Sequence, residues 1–436
     1  MYRSNTCGEL RLKDAGQKVT LAGWVQRIRN MGGMTFIDLR DRYGITQIVF
    51  NNETDAALCE RANKLGREYV VQIEGEVSER YSKNPHLATG EIELIATDFK
   101  VLSPSKLPPF TIEEDTDGGD DLRMRYRYLD LRRANLHRNL ELRHRMAFEI
   151  RRYLDQNGFL EIETPILVKS TPEGARDFVV PSRMNPGEFY ALPQSPQLFK
   201  QLLMVSGYDR YFQIAKCFRD EDLRANRQPE FTQIDIEMSF VENDEDVMEI
   251  AEGMIKDIFA KCKNITFTKP FRRMTWTEAM NRFGSDKPDT RYGLELNDIS
   301  PAVKNSEFTV FRQALEKGSV RALCVKGGAD KFTRKEIDAF ADFVKDYGAK
   351  GLAWASKKND GSTTSTFYKF LTEEEIKNIE DILHAEKGDL ILVVADNKNK
   401  VVYDSLGALR THIADKLGLY DKNEYDILWI TEFPLL

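Results

Sequence analysis

Apolar and polar residues alternate through five stretches of the first hundred positions, which is the pattern of half-buried β-strands. These stretches predict strands at 19–28, 34–40, 45–51, 69–79 and 91–102. A stretch with helical spacing at about 54–65 separates the third strand from the fourth. Residues 1–105 are therefore expected to form a small β-domain of their own.

The order of these elements, three strands, a helix and two strands, is that of a five-stranded Greek-key barrel of the OB type. Such barrels bind single-stranded nucleic acid by combining basic residues with aromatic rings on which bases stack. Arg27, Arg29, Phe36 and Gln47 lie on or beside the strands that would form that face. An aromatic residue on a strand more often packs in a core, so the pattern alone leaves both roles open for Phe36.

A segment rich in proline and acidic residues follows. It contains Pro104, Pro108, Pro109 and an acidic run at 113–121. Prolines and runs of charge are typical of linkers, and the acidic run is expected to be solvated. We therefore predict a hinge or linker over residues 106–135.

Helical and strand-like patterns succeed one another up to residue 287. Helices are predicted at 135–157, 197–205 and 244–261, and strands at 159–162, 209–218 and 230–240. The last two strands flank one charged loop, so they should form an antiparallel hairpin. Dense arginines between Arg123 and Arg152 fit either a charged helix face or an interface with phosphate. Residues 136–287 would be the first part of a larger domain.

The pattern changes after residue 288. Strands at 320–325, 351–355 and 390–395 and a helix at 334–347 predict an inserted α+β domain over residues 288–412. The interrupted domain would resume in 413–436, with an apolar strand at 427–433. The expected fold class is thus multidomain, with an all-β barrel and mixed α and β structure in the rest.

Composition narrows the class of protein. The chain has 436 residues, 41% of them hydrophobic, and a formal charge of −7. We therefore expect a folded protein of about three domains, and neither a disordered chain nor a bulk polycation. Neither a membrane-spanning apolar run nor a secretory signal is recognisable. Five scattered cysteines without a Cys-x-x-Cys pair indicate reduced thiols, a cytoplasmic protein and no zinc site.

Common nucleotide-binding signatures are absent, since there is neither a P-loop nor a Gly-x-Gly-x-x-Gly turn. The informative stretch is the loop between the predicted hairpin strands, from Phe218-Arg219-Asp220-Glu221 to Arg227-Gln228-Pro229-Glu230-Phe231-Thr232-Gln233-Ile234-Asp235. A charged loop is usually a solvated surface. Here an arginine stands at the end of a strand, where its planar guanidinium would be fixed and suited to a phosphate.

This stretch resembles motif 2 of the class II aminoacyl-tRNA synthetases, and residues 158–165 resemble motif 1 of the same family. The strings at 170–177 and 194–201 are similar to those of bacterial-type members that charge tRNA with aspartate, and so is the insert around Gly328-Ala329-Asp330. The resemblance extends along essentially the whole chain. It implies an antiparallel-sheet catalytic domain, an anticodon-binding OB-fold barrel and aspartate–tRNA ligase activity, with aspartate, ATP and tRNA(Asp) as substrates.

The resemblance also implies the ATP-binding residues. Arg219 would hold the α-phosphate and the aspartate carboxylate while the mixed anhydride forms, and its charge would stabilise the transition state. Asp220 and Glu221 would contact ATP, Glu221 at the adenine edge, and Gln228 would help to hold the nucleotide. Mg²⁺ would bridge the ATP phosphates, although no metal ligand is identified in this chain.

On the amino-acid side, the resemblance implies that Asp235 and Glu173 attract the substrate ammonium while Lys200 holds the side-chain carboxylate. A cation there would select aspartate over asparagine, because an amide would leave it unpaired. Further substrate-lining residues would be Ser195, Gln197 and Gln233. The residues expected to act in catalysis itself are Arg219, Glu173 and Asp235.

In the barrel, the resemblance implies that Phe36 stacks an anticodon base, while Arg29 and Gln47 read or hold neighbouring bases. Met31 stands where relatives that also charge tRNA(Asn) often have His, which favours tRNA(Asp) alone. Motif 1 would form the seam of a homodimer.

Motif 3 of the family, a glycine-rich strand and helix that ends in an arginine, is missing. The nearest string, 405–410, belongs to the predicted insert. On this basis we expect a C-terminally truncated synthetase that cannot complete adenylation by itself. Two alternatives stay open from the sequence: a relative that charges asparagine or lysine, and a non-catalytic fragment that binds tRNA.

Overall fold

The computed structural model describes residues 1–171, 173–222 and 227–435. Residues 223–226 of the motif 2 loop and Pro172 of the 170–177 string lie outside the described residues. The chain divides into two compact units, Met1–Thr266 and Phe267–Leu436. Among the described helices, none has the length and apolar character needed to cross a bilayer.

The elements of the first unit follow the sequence patterns closely. Its strands are β1 Lys18–Met31, β2 Met34–Arg40, β3 Ile45–Asn51, β4 Val70–Glu79, β5 Ile92–Ser103, β6 Leu160–Glu161, β7 Val179–Pro181, β8 Phe189–Ala191, β9 Arg210–Phe218 and β10 Glu230–Met238. Its helices are α1 Ala56–Ala62, α2 Asp120–Arg125, α3 Arg127–Asp130, α4 Ala134–Gln156, α5 Gln197–Val205 and α6 Glu245–Lys263. The long predicted elements of this unit are all present, with ends shifted by a few residues.

Strands β1 to β5 close into a barrel in the order β1-β2-β3-β5-β4. β3 and β5 are parallel, and the other neighbouring strands are antiparallel. The alternating apolar residues point inward, and Leu21, Ile37 and Ile73 are completely buried. Gly23 permits the close crossing of strands, because a Cβ there would lie 2.4 Å from the carbonyl oxygen of Arg40. This topology confirms the expected OB-fold barrel.

A hairpin and two long helices form the rest of the first unit's core. β9 and β10 pair antiparallel as predicted, and β6 runs parallel to β9 on its other side. The helices α4 and α6 pack on this sheet through Leu154 and Met254, which contact a cluster that includes Phe212. The hairpin is therefore a rigid base for the loop that joins its strands.

The segment after the barrel is more ordered than the predicted linker. Phe110 and Ile112 are buried against Leu129. Arg133 donates hydrogen bonds to the backbone carbonyl oxygens of residues 113 and 114, at 2.8 and 2.6 Å, so the start of the acidic run is anchored to the protein. The linker predicted over residues 106–135 stays a prediction, and these contacts mean that part of it packs on the protein.

Glu68 joins the barrel to this segment. Its side chain is 4% exposed and accepts two hydrogen bonds from Arg40 Nη2, at 2.9 and 2.8 Å, and one from Arg132 Nη1 at 2.8 Å. Arg132 in turn lies over the ring of Trp24 at 5.0 Å. The backbone of Glu68 has a φ of 62°, which is unfavourable for a residue with a Cβ. The hydrogen bonds from Arg40 and Arg132 therefore stabilise Glu68 in a backbone conformation that a residue with a Cβ rarely adopts.

Replacing Glu68 with glutamine is expected to lower the free energy of unfolding of the first unit by about 3 kcal/mol, because the buried guanidinium of Arg40 and the half-buried one of Arg132 lose their shared anion. Urea unfolding followed by circular dichroism would measure this change. The matched control is Glu60→Gln, since Glu60 forms an exposed pair with Lys64 and such pairs contribute little. Equal stability of the two variants would contradict the prediction.

The second unit is built around one antiparallel five-stranded sheet, whose strand order differs from the chain order. Its strands are β11 Arg272–Thr275, β12 Asn297–Asp298, β13 Ser319–Val325, β14 Ala353–Lys357, β15 Thr363–Ser365, β16 Leu390–Asp396 and β17 Leu428–Thr431. Its helices are α7 Trp276–Phe283, α8 Thr309–Ala314, α9 Gly328–Lys331, α10 Arg334–Lys345, α11 Glu373–Ile382 and α12 Asn399–Leu417. The five-stranded sheet has the order β12-β13-β16-β14-β15, and β11 pairs with β17 in parallel.

The boundary between the units falls at 266, whereas the sequence predicted a domain boundary at 287. Helix α7 packs so closely on α12 that a Cβ on Gly407 would lie 2.8 Å from the carbonyl oxygen of Gly284. Residues 267–287 therefore form one compact unit with the predicted insert. The close approach depends on a glycine more than 100 residues away, which local patterns do not reveal.

Arg410 on α12 is the largest completely buried side chain described, at 1% exposure. Its Nη2 donates to the carbonyl oxygens of Asp289, Tyr292 and Gly293, at 2.7 to 3.1 Å, and its Nε donates to that of Leu294 at 2.9 Å. Burial lowers the pKa of Arg410, which the carboxylates and the phenol nearby only partly offset. This arginine of the 405–410 string therefore ties residues 289–294 to α12.

Candidate functional site

The loop between β9 and β10 starts at a fixed arginine. Arg219 directly follows β9, and its backbone N–H donates to the carbonyl oxygen of Pro229 at 2.9 Å. Its half-buried guanidinium lies over the ring of Phe231, 5.0 Å from the centroid. A backbone hydrogen bond and a ring face thus orient the charge that the sequence analysis assigned to a phosphate.

A second loop, residues 173–177, is held against the same hairpin. The buried amide of Gln194 accepts from the N–H of Ala175 at 3.0 Å and donates to its carbonyl oxygen at 2.9 Å. The N–H of Asp220 donates to the carbonyl oxygen of Arg176 at 3.0 Å. Gln194 was not among the predicted site residues, although it opens the 194–201 string that carries part of the resemblance.

Glu173 is fixed by two hydroxyl groups. Its Oε2 accepts from Ser195 Oγ at 2.8 Å, and its Oε1 accepts from Thr171 Oγ1 at 3.2 Å. Gln197 is the first residue of α5, two positions after Ser195. The structure therefore brings Glu173, Ser195 and the start of α5 together, as the resemblance implied for an amino-acid site.

Lys200, one turn further along α5, is paired with two carboxylates of β10. Its Nζ lies 3.0 Å from Asp235 Oδ1 and 3.3 Å from Glu237 Oε2, and its side chain is 12% exposed. Lys200 and Asp235 were predicted to bind different ends of the substrate, and here they contact each other. Glu237 was missed, although positions 233, 235 and 237 necessarily share one face of a strand.

Burial and the attraction between the two charges act against each other on the pKa values of Asp235 and Lys200. Burial raises the pKa of Asp235, and the hydrogen bond and charge of Lys200 only partly offset that effect. Burial acts to lower the pKa of Lys200, but Asp235 and Glu237 outweigh it, and the net shift is upward. Asp235 Oδ2 is buried and accepts no hydrogen bond from any described residue. The hydroxyl group of Tyr211 also acts on this carboxylate to lower its pKa, so Asp235 has a neighbouring donor inside the protein besides Lys200.

Cys217 lies at the centre of the predicted amino-acid site. Its thiol donates to Gln233 Oε1 at 3.2 Å. Burial raises the pKa of Cys217 to about 11. The charges that also act on this thiol are those of Asp235, Arg219, Glu173 and Lys200. These four residues, predicted from three separate stretches of the sequence, therefore all lie within electrostatic range of this thiol.

The residues predicted to contact the rest of the nucleotide are more exposed than those of the predicted amino-acid site. Asp220, Glu221 and Gln228 are all exposed. Glu221, predicted to contact the adenine edge, is paired with Arg227 at 3.5 Å. Over the described ranges, no group of three or more His, Cys, Asp and Glu side chains could hold a metal ion. The described residues therefore provide no cage for Mg²⁺.

The predicted nucleic-acid face of the barrel carries a connected set of polar side chains. Both terminal nitrogens of Arg29 donate to Asp38, each at 2.7 Å, and Nη2 also donates to Gln47 Oε1 at 3.2 Å. Gln47 is 6% exposed and donates to Glu93 Oε2 at 2.7 Å. The half-buried Phe36 pairs with Arg29 across β1 and β2. The three predicted anticodon residues thus lie side by side.

These residues form the floor of a cleft of about 530 Å³, here called the barrel cleft. Its rim includes Met31, Met34, Tyr81 and Leu87. Met31 is 63% exposed at the end of β1, where it is accessible to a bound molecule. The predicted role of Met31 in choosing between tRNAs stays a prediction.

Comparison with known proteins gives the family. Class II tRNA synthetases (D, K and N) match residues 119–436, and the OB-fold nucleic acid binding domain matches residues 19–102. The aspartate–tRNA ligase of Parabacteroides distasonis is 59% identical over 437 residues, which cover 100% of this chain and 74% of that protein. That of Ruminiclostridium cellulolyticum is 57% identical over 438 residues, with 100% and 73% covered.

Solved structures show the same fold at lower identity. The asparaginyl-tRNA synthetase of Pyrococcus horikoshii, complexed with asparaginyl-adenylate, aligns with a TM-score of 0.55 at 20% identity, covering 94% of this chain and 98% of that one. The asparaginyl-tRNA synthetase of Entamoeba histolytica aligns with a TM-score of 0.53. The match along most of the chain and the high identity to the two ligases together show that the chain belongs to the class II aminoacyl-tRNA synthetases of the D, K and N group.

Proposed function

We propose that this chain has the activity of an aspartate–tRNA ligase, and the expectation that it cannot complete adenylation without motif 3 stays a prediction. The reaction joins the α-carboxylate of aspartate to the α-phosphate of ATP with release of pyrophosphate, and then transfers the aspartyl group to the 3′ end of tRNA(Asp). Membership of the family makes ATP a substrate and the product an aminoacyl-tRNA. The choice of aspartate is supported by the site and by the names of the relatives at 56–59% identity.

The observation that carries the proposal is the buried cluster of Lys200, Asp235 and Glu237 near Arg219. Lys200 and Arg219 supply two cations and Asp235 and Glu237 supply two anions, so the site offers partners for both the carboxylates and the ammonium of aspartate. The carboxylate of Asp235 suits the substrate ammonium, which would have to displace Lys200 or reach the buried Oδ2. Lys200 suits a side-chain carboxylate, and an amide there would not offset its buried charge.

Arg219 is the residue proposed to act on the phosphate. Attack of the aspartate carboxylate on the α-phosphorus places extra negative charge on the phosphate oxygens. A guanidinium held in advance by Phe231 and the hairpin backbone stabilises that charge without having to reorganise. Glu173, fixed by Ser195 and Thr171, would orient the ammonium from the opposite loop.

Mg²⁺ would neutralise part of the charge of the ATP phosphates, and in such sites it commonly binds through substrate phosphates, several waters and one or two carboxylates. No residue of this chain is assigned to it. Asp220, Glu221 and Gln228 are proposed to contact the nucleotide from the exposed loop, for which Glu221 must exchange its pairing with Arg227.

The proposed tRNA partner contacts the barrel cleft through its anticodon, with Phe36 as a stacking ring and Arg29 and Gln47 as polar contacts. A homodimer is supported by apolar side chains left exposed on α4 and β6. These are Leu140, Phe148 and Leu160, at 51, 60 and 53% exposure, and exposed apolar groups of this kind favour an interface. Free cysteines support a reducing compartment, for which we propose the cytoplasm.

Calorimetry with non-hydrolysable aminoacyl-adenylate analogues tests the choice of amino acid on the full chain. We expect the aspartyl analogue to bind at least about 100-fold more tightly than the asparaginyl or lysyl analogue, because only a side-chain carboxylate neutralises Lys200. Preferential binding of the asparaginyl or lysyl analogue would assign the chain to that amino acid instead.

A further inference from the structure

Tyr81 is an aromatic residue that the fold leaves unused. Its side chain is 103% exposed, in the loop that follows β4. The same side chain lines the barrel cleft, across which Phe36, Met31 and Met34 also lie. Other aromatic side chains of the chain are also exposed, such as Phe240 at 92%, but Tyr81 lines a cleft that already holds an aromatic ring and polar groups.

We propose that Tyr81 is a second stacking platform for the anticodon loop of tRNA, in the same cleft as the platform formed by Phe36. The inference rests on the proposed function, since it takes the barrel cleft as the site of the anticodon. It adds a contact residue that neither the family resemblance nor the motif analysis assigns.

The chemistry of the cleft favours a nucleobase as the occupant of this ring. The floor offers fixed polar groups, Arg29 bonded to Asp38 and Gln47 bonded to Glu93, which suit the edges of bases. Two rings on separate elements, Phe36 on β2 and Tyr81 on the loop after β4, suit base faces. Aromatic rings and polar groups in one cleft are how OB-fold barrels bind single-stranded nucleic acid.

The full exposure of Tyr81 also makes it a clean site to test, because its replacement removes no contact within the protein. Loss of one stacked base typically costs roughly 5- to 100-fold in affinity. We therefore expect Tyr81→Ala to weaken binding of a fluorescent tRNA(Asp) anticodon stem-loop to the full chain within that range. Tyr81→Phe keeps the ring and should bind within about 2-fold of the parent.

The base that contacts Tyr81 can be identified with stem-loops that lack one base at a time. At the contacted position, removal of the base should weaken binding to the parent but not to the Tyr81→Ala variant. At every other position, the loss of binding free energy from removing the base should add to the loss caused by Tyr81→Ala. Tyr2→Ala is the matched control, because Tyr2 is exposed, at 65%, but does not line the barrel cleft.

Fluorescence anisotropy separates failure of this inference from failure of the proposed function. If Tyr81→Ala binds like the parent while Phe36→Ala binds more weakly, the second platform is wrong and the anticodon site stands. If Tyr81→Phe loses as much affinity as Tyr81→Ala, the hydroxyl group makes the contact and stacking is wrong. If the parent does not bind the stem-loop at low salt, the anticodon assignment of the barrel fails, and this inference fails with it.

Discussion

Replacement of Arg410 by methionine is expected to lower the free energy of unfolding of the second unit by about 4 kcal/mol. The substitution keeps the apolar stem but removes every donor that the guanidinium supplies. Four backbone carbonyl oxygens then lose their hydrogen bonds to Arg410, that of Tyr292 in buried surroundings and those of residues 289, 293 and 294 in partly buried ones. Each buried carbonyl left without a donor costs roughly 1–3 kcal/mol before relaxation, and relief of the buried unpaired charge offsets part of the total.

Denaturant unfolding combined with peptide-resolved hydrogen exchange would measure this effect and locate it. Exchange should accelerate first in residues 289–294 and α12, and the first unit should keep its protection. Lys400→Met is the matched control, because Lys400 lies on the same helix with its side chain 82% exposed. An Arg410→Met variant as stable as that control would mean that water replaces the guanidinium without cost.

Replacement of Lys200 by methionine is expected to weaken binding of the aspartyl-adenylate analogue by at least about 100-fold. The variant loses the cation proposed to hold the side-chain carboxylate, and it leaves Asp235 and Glu237 facing each other without one. Discrimination should collapse as well, because the asparaginyl analogue has no charge to lose in this exchange. The ratio of the two affinities is therefore more diagnostic than either one alone.

Two controls separate this loss from simple unfolding. Lys216→Met removes an exposed lysine of the same hairpin, paired with Glu230 at 2.9 Å, and should bind the analogue like the parent. Lys200→Arg keeps the charge and should recover part of the selectivity. A Lys200→Met variant that is folded by circular dichroism and still prefers the aspartyl analogue would place the specificity elsewhere.

Local patterns predicted the barrel and the hairpin well, for a physical reason. In both, the alternation of apolar and polar residues reports directly which face of a strand is buried. The same patterns missed contacts that depend on distant chain segments. Lys200 forms an ion pair with Glu237 only because α5 packs beside β10. Phe110 is buried only because Leu129, which lies 19 residues further along the chain, packs against it.

In the candidate site, too, the residues were predictable from the sequence but their mutual contacts were not. The resemblance named Glu173, Lys200, Arg219 and Asp235, and the structure gathers their charges around Cys217. The resemblance could not reveal that Lys200 and Asp235 neutralise each other when no substrate lies between them. Nor could it reveal Gln194, whose amide supports a loop and has no part in the chemistry. Such supporting contacts are set by backbone geometry, which a motif does not encode.

The parallel pairing of β11 with β17 has a consequence for how the second unit is made. The partner of β11 lies more than 150 residues further along the chain, so during synthesis at about 5–20 residues per second β11 waits roughly 10–30 seconds to pair. The five-stranded sheet, whose strands all lie between these two, is complete before then. An independently stable insert would protect the waiting strand from wrong partners, and slower translation after residue 420 would prolong its exposure.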